Sequence, residues 1–171
     1  MRALALSLIV AAVSIPALHA QQTGGSIDLP AGTRIVLQVT GDGVQIYTCT
    51  DTPGGAKWAL KAPDAKLLDA SGKTVGGHFA GPTWKLEDGS QVQGELIASK
   101  VAPETGSVAW LLLRAKEGTA KGSLADVAFI RRTETHGGVA PESGCATSQD
   151  AGKTVRVPYT AIYTFYKATK R

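Results

Sequence analysis

Beyond the first 20 residues, no stretch of this chain sustains an apolar period of 3.6 residues for three turns; apolar residues alternate with polar ones or come in short runs. That pattern predicts strands. Arg34–Thr40 sets Ile35, Leu37 and Val39 on one side, Gly41-Asp42-Gly43 reads as a tight turn, and Val44–Thr50 resumes, so a hairpin is expected over 34–50. Short strands are predicted at Lys57–Lys61 and Lys66–Leu68 with Pro63-Asp64 between them. Further strands are expected at Thr74–Phe79 and Thr83–Leu86 around Gly81-Pro82, and at Gln91–Lys100 after Asp88-Gly89. In Ser107–Lys116 both alternating faces are apolar, which marks a strand covered on both sides. Leu124–Thr133 and Val155–Lys167 complete the set; in the last, Tyr159, Ala161, Tyr163 and Phe165 share a face.

Turn chemistry supports the same class. The 20 glycines all fall in residues 21–171, a proportion nearly twice the usual ~7%. The expected fold is all-β: a single antiparallel β-sandwich or barrel of about 8–11 short strands over residues 21–171. Ala-Pro-Asp at 62–64 and Ala-Pro-Glu at 102–104 and 140–142 read as three proline turns rather than a repeat. The basic tail from Lys167 to Arg171 is expected to fray.

Residues 1–20 read as a secretory signal: Arg2, an apolar run from Ala3 to Ile15, Pro16, and Ala17-Leu18-His19-Ala20 before the expected cut. The run is short for a membrane span, which takes about 20 residues, and no later segment reads as one. The expected location is the periplasm or the extracellular space. In such an oxidising setting the two cysteines, Cys49 and Cys145, read as a disulfide. They lack the C-x-x-C spacing of a redox or metal pair. There is no asparagine, hence no N-glycosylation acceptor.

Few residues offer chemistry. After the leader there are two histidines, His78 and His136, each in a glycine-rich turn. His78 with Trp84 and a carboxylate, Asp88 or Glu95, makes the candidate ligand site, since functional side chains often sit on loops of a rigid β scaffold. The bland alternative is a histidine whose ring bonds to backbone at a strand end. No H-x-H, H-x-x-x-H or H-E-x-x-H spacing exists, so no metal and no cofactor is expected. No G-x-S-x-G elbow exists either, and Asp88-Gly89-Ser90 reads as a turn rather than a nucleophile. Of three tryptophans, Trp110 lies in the core strand, Trp58 alternates with Ala56 and Leu60, and Trp84 beside Gly81-Pro82 is the candidate surface platform for a sugar. Residues 21–171 carry 17 basic against 14 acidic side chains, divided as −2 over 21–109 and +5 over 110–171. Arg131, Arg132, Arg156 and the tail read as ordinary solvated strand faces, and export argues against a nucleic-acid partner.

Several segments in order carry a family resemblance: Gly43-Val44-Gln45-Ile46-Tyr47-Thr48-Cys49, Trp58 with Ala62-Pro63-Asp64, and above all Val75 through Trp84 followed by Asp88-Gly89-Ser90. Trp110-Leu111-Leu112-Leu113, Gly137-Gly138-Val139-Ala140-Pro141, Gly144-Cys145 and Val157 through Tyr166 follow. The chain resembles, over about residues 27–167, the exported bacterial and fungal family catalogued as domain of unknown function 3455. The resemblance implies an exported single domain whose two cysteines both fall in family motifs, and it carries no activity. The expected function is a binding or structural role in the cell envelope, with an envelope component, a polysaccharide or a small ligand as partner. The alternatives are a small hydrolase or metal-assisted enzyme centred on His78, and a carbohydrate-binding module using Trp84.

Overall fold

A computed structural model describes residues 25–119 and 121–169; the leader expected over 1–20 and the last two residues of the tail lie outside them. The described chain forms eight antiparallel strands: β1 Thr33–Thr50, β2 Lys57–Leu68, β3 Thr74–Phe79, β4 Thr83–Leu86, β5 Gln91–Lys100, β6 Trp110–Gly118, β7 Val127–Gly137 and β8 Thr154–Ala168. They pair in chain order, and β8 returns to β1 to close a barrel. Closure pairs every strand on both sides along part of its length, which leaves only short stretches of unpaired edge. A single 3₁₀ turn, Ser148–Asp150, precedes β8.

Three expectations are corrected here. The hairpin over 34–50 is one continuous strand: β1 runs through Gly41-Asp42-Gly43 and pairs with β2 on one side and β8 on the other. These glycines serve close approach rather than a turn. A Cβ on Gly41 would lie 2.5 Å from Cε2 of Tyr163, and one on Gly43 would lie 2.2 Å from the Asp64 carbonyl oxygen. Likewise the two short strands around Pro63 are one, β2. Its partner β3 reaches only Ala65–Leu68, so around Pro63 the strand has a neighbour on one side alone, where a missing N–H is tolerated. The tail does not fray at Lys167: Lys167 and Ala168 belong to β8, and Thr169 donates from its backbone N to Gly32 O at 2.7 Å.

The alternation then decides what is inside. Tyr159, Ala161, Tyr163 and Phe165 of β8 join Val39, Leu67, Trp84, Val92, Leu113 and Ile130 in the barrel core. Burial of this set drives the fold at roughly 25 cal/mol per Å² of apolar surface. On β6, Leu112 and Leu113 face opposite ways and are both buried, as its two apolar faces require. Outside the barrel, Ile27 is buried and Gly25 lies beside Ala98 of β5. Cys49 and Cys145 form a disulfide with Cα atoms 5.5 Å apart, tying β1 to the loop before β8. Trp58, opposite Cys49 in the ladder, covers this loop and donates from Nε1 to Ser143 O at 3.0 Å.

Strand lengths make the wall uneven. β3 and β4 have six and four residues, whereas their neighbours β2 and β5 have twelve and ten. Beyond the Gly81-Pro82 turn, the first half of β2 therefore has no strand beside it on that side, and an opening is left there.

Candidate functional site

The opening leads to a cavity of about 280 Å³ within the barrel. Its rim is Leu60, Lys61 and Pro63 from β2, Gly81-Pro82 from the short hairpin, and Leu96 from β5. Leu60 and Leu96 are exposed, an apolar lip at the mouth. Deeper in, Gln45, His78, Trp84, Leu113, Arg132 and Tyr163 line the walls.

Register explains why these side chains meet. His78 pairs with Trp84 across β3 and β4, and opposed residues of an antiparallel pair share a face. The two rings stack, with centroids 4.4 Å apart and planes 8° from parallel. Tyr163 meets the Trp84 ring edge-on at 5.4 Å and Phe165 does so at 5.9 Å. Gly94 makes room for the indole: a Cβ there would lie 3.1 Å from Trp84 Cζ3. Across three strands, Leu111, Arg132 and Tyr163 form one row.

His78 Nδ1 lies 2.9 Å from Thr83 O. A carbonyl only accepts, so Nδ1 carries the proton and Nε2 keeps a lone pair. Burial pushes the imidazole pKa down to about 4; the Thr83 carbonyl opposes this and the Arg132 cation adds to it. The ring is thus neutral at physiological pH. Burial also raises the Tyr163 phenol, with Arg132 opposing, and raises the Tyr159 phenol, its hydroxyl 3.1 Å from that of Tyr163. Both stay protonated and can donate.

The four residues singled out from the sequence separate. His78 and Trp84 come together. Trp84 is 1% exposed, so it is a core residue and not a surface platform for sugars; the turn beside it stands at the mouth while its ring points into the barrel. Asp88 sits at the other end of β4. Its Oδ1 accepts from Ser90 N and Oγ at 2.8 and 2.6 Å, and its Oδ2 accepts from Ser123 N at 2.8 Å. The Ser90 hydroxyl first, then these backbone donors, hold the Asp88 carboxyl well below the usual carboxylate range. It stitches a turn, as Asp88-Gly89-Ser90 was read. Glu95 is exposed, between the buried Gly94 and Leu96 of the lip, opposite Arg114. Neither carboxylate lines the cavity, so the structure does not supply the partner that an acid–base role for His78 was expected to use. His136 is on the surface, bonded to Glu104. Among the described residues, no three His, Cys, Asp or Glu side chains are grouped to hold a metal ion.

Gln45, Arg132 and Tyr163 were not singled out. Arg132 had been read with Arg131 as solvated strand surface. Neither is fully solvated: Arg131 points away from the barrel but is half-buried, its guanidinium over the buried Tyr166 ring at 5.5 Å from the centroid and its Nε without a hydrogen-bond partner among the described residues. Consecutive strand residues face opposite ways, so Arg131-Arg132 already required one of the pair to point inward. For Gln45 the signal was weaker, a polar residue in the alternating run Val44–Tyr47. It is 1% exposed, and its Nε2 has no hydrogen-bond partner among the described residues.

The family model described as protein of unknown function DUF3455 matches residues 30–167. The chain belongs to this family. The match takes in all eight strands from the start of β1 to Lys167 of β8, and with them every residue lining the cavity. No curated protein and no solved structure matches the chain.

Proposed function

We propose that this DUF3455 protein is an exported binding protein whose barrel holds a small, largely apolar ligand in the cavity beneath the β3–β4 turn. The carrying observation is Gln45. An amide 1% exposed, lining a cavity and lacking a partner for Nε2 among the described residues, costs about 1–3 kcal/mol relative to a satisfied one. Folding gains nothing from it, whereas a ligand acceptor in the cavity would satisfy it. The apolar lip, the open mouth and the aromatic wall are what small-molecule sites commonly present. A 150 Å³ apolar cavity holds a benzene, so about 280 Å³ takes a ring with a short side chain. Export is supported by the leader-like residues 1–20 and by the disulfide, which persists in oxidising compartments. A cell-envelope setting fits both.

The test is Gln45→Leu, measured for stability and binding together. The expected result is an empty protein at least as stable as wild type that has lost saturable binding of small ring compounds, seen as ligand-induced rises in melting temperature. A less stable variant, with no ring compound raising the wild-type melting temperature, would overturn the proposal. Turnover of a bound compound, lost in His78→Phe with binding kept, would replace it with the enzyme reading.

A further inference from the structure

The charges that line the cavity bear on what it could select, an inference that rests on the binding role proposed above. Its lining carries two charged side chains, Lys61 and Arg132, both cationic, and no carboxylate. Lys61 is exposed at the mouth. Arg132 is inside, in one row with Leu111 and Tyr163. Its Nε and Nη2 both donate to Ala109 O, at 3.0 and 2.7 Å. That carbonyl fixes the guanidinium plane and uses two of its five N–H groups, leaving three at the Nη end, close to the Tyr163 hydroxyl. No described carboxylate pairs with it: Glu104 bonds His136, Asp64 bonds Arg156 and Asp126 bonds Lys167. A half-buried guanidinium with a free planar edge is a carboxylate receptor, because two parallel N–H donors match two carboxylate oxygens. Gln45 Nε2 and the buried Nε1 of Trp84, both unpartnered among the described residues, add neutral donors to the same walls.

We propose that the cavity selects a small monocarboxylate with an apolar body, the carboxylate on Arg132 with Gln45 as the neutral donor, and the body against Trp84, Leu111 and Leu113. One inward cation matches one negative charge. A phosphate dianion would bring a second charge into apolar surroundings with nothing to pair it, which is costly.

The experiment is calorimetric titration of the full disulfide-bonded protein, at neutral pH, with 3-phenylpropionate, its amide, 3-phenylpropylamine and inorganic phosphate. The acid should bind at least tenfold tighter than the amide, the size of a charge-assisted hydrogen bond of about 1.5 kcal/mol. The amine and phosphate should bind more weakly still. In Arg132→Gln, acid and amide should bind alike. Should that variant fail to fold, the wild-type acid-to-amide ratio decides the question alone. Equal binding of acid and amide, or phosphate as tight as the acid, overturns the charge selection and leaves the ligand-binding reading standing. Binding by none of the organic probes overturns both.

Discussion

A histidine buried neutral makes the stability of this barrel depend on pH from about 6.5 down to about 4, a window that begins above the range in which carboxylates titrate. His78 is 3% exposed, clamped between Thr83 O and the Trp84 ring, with its pKa pushed from 6.5 to about 4. Above pH 6.5 the ring is neutral in both the folded and the unfolded chain, and it imposes no pH dependence. As pH falls below 6.5 the unfolded chain takes up a proton that the folded chain refuses, so stability is lost until the folded ring also protonates near 4. The full gap corresponds to about 3 kcal/mol at ~1.4 kcal/mol per tenfold, of which about 2 kcal/mol is gone by pH 5. For a domain of this size that lowers the melting temperature by roughly 4–8 °C. The carboxylates of Asp88 and Asp150, held low by their hydrogen bonds, act on the acid side of this window. They contribute stability above the ordinary carboxylate pKa that is lost only as pH falls below it. Urea unfolding of wild type and His78→Phe at pH 7.5, 6 and 5 isolates the imidazole by difference. The variant should lose some stability at pH 7.5, since Thr83 O is left unpaired, but its profile should be flatter by about 2 kcal/mol. Parallel profiles for the two proteins would refute the buried, neutral assignment.

Other perturbations test the frame around the cavity. Gly41→Ala should destabilise by about 1–3 kcal/mol, because its Cβ would collide with the fully buried Tyr163 ring; a change under ~0.5 kcal/mol in chemical unfolding would return these residues to a turn. Reducing the Cys49–Cys145 bond, which closes a separation of 96 residues, should lower stability by up to about 4–5 kcal/mol, and a melting curve unmoved by reductant would contradict this. Trp84→Ala should cost about 3–5 kcal/mol as a large-to-small core change, whereas soluble glycans should leave wild-type tryptophan fluorescence unchanged; a saturable glycan quench assigned to Trp84 would reverse its placement inside.

Much of the barrel was legible one segment at a time. The bounds of β3, β4 and β5 follow from the residues because Gly81-Pro82 and Asp88-Gly89-Ser90 are true turns, with Gly81 and Gly89 at positive φ. Gly41 and Gly43 look the same in the sequence and do the opposite work, because what makes them necessary is Tyr163 and Asp64 lying across the ladder. Pro63 misleads for a related reason: whether a proline ends a strand depends on whether a neighbour needs its N–H. At the site, His78 and Trp84 were legible as a pair from their shared turn. Asp88 and Glu95 were drawn to them by sequence proximity, which places Asp88 at the far end of β4 and Glu95 on the outer face.

By itself, then, the sequence determined the class: an alternating, glycine-punctuated chain of antiparallel strands with two cysteines, because period and turn chemistry are local properties of the backbone. Only the tertiary structure decided that the sheet closes, and closure is what gives a strand an inside. Until β8 meets β1, Arg131 and Arg132 are equivalent and Trp84 has no side. Once the ring is shut, one arginine points outward over Tyr166, and the other faces a cavity whose wall holds the Gln45 amide, its Nε2 unpartnered among the described residues.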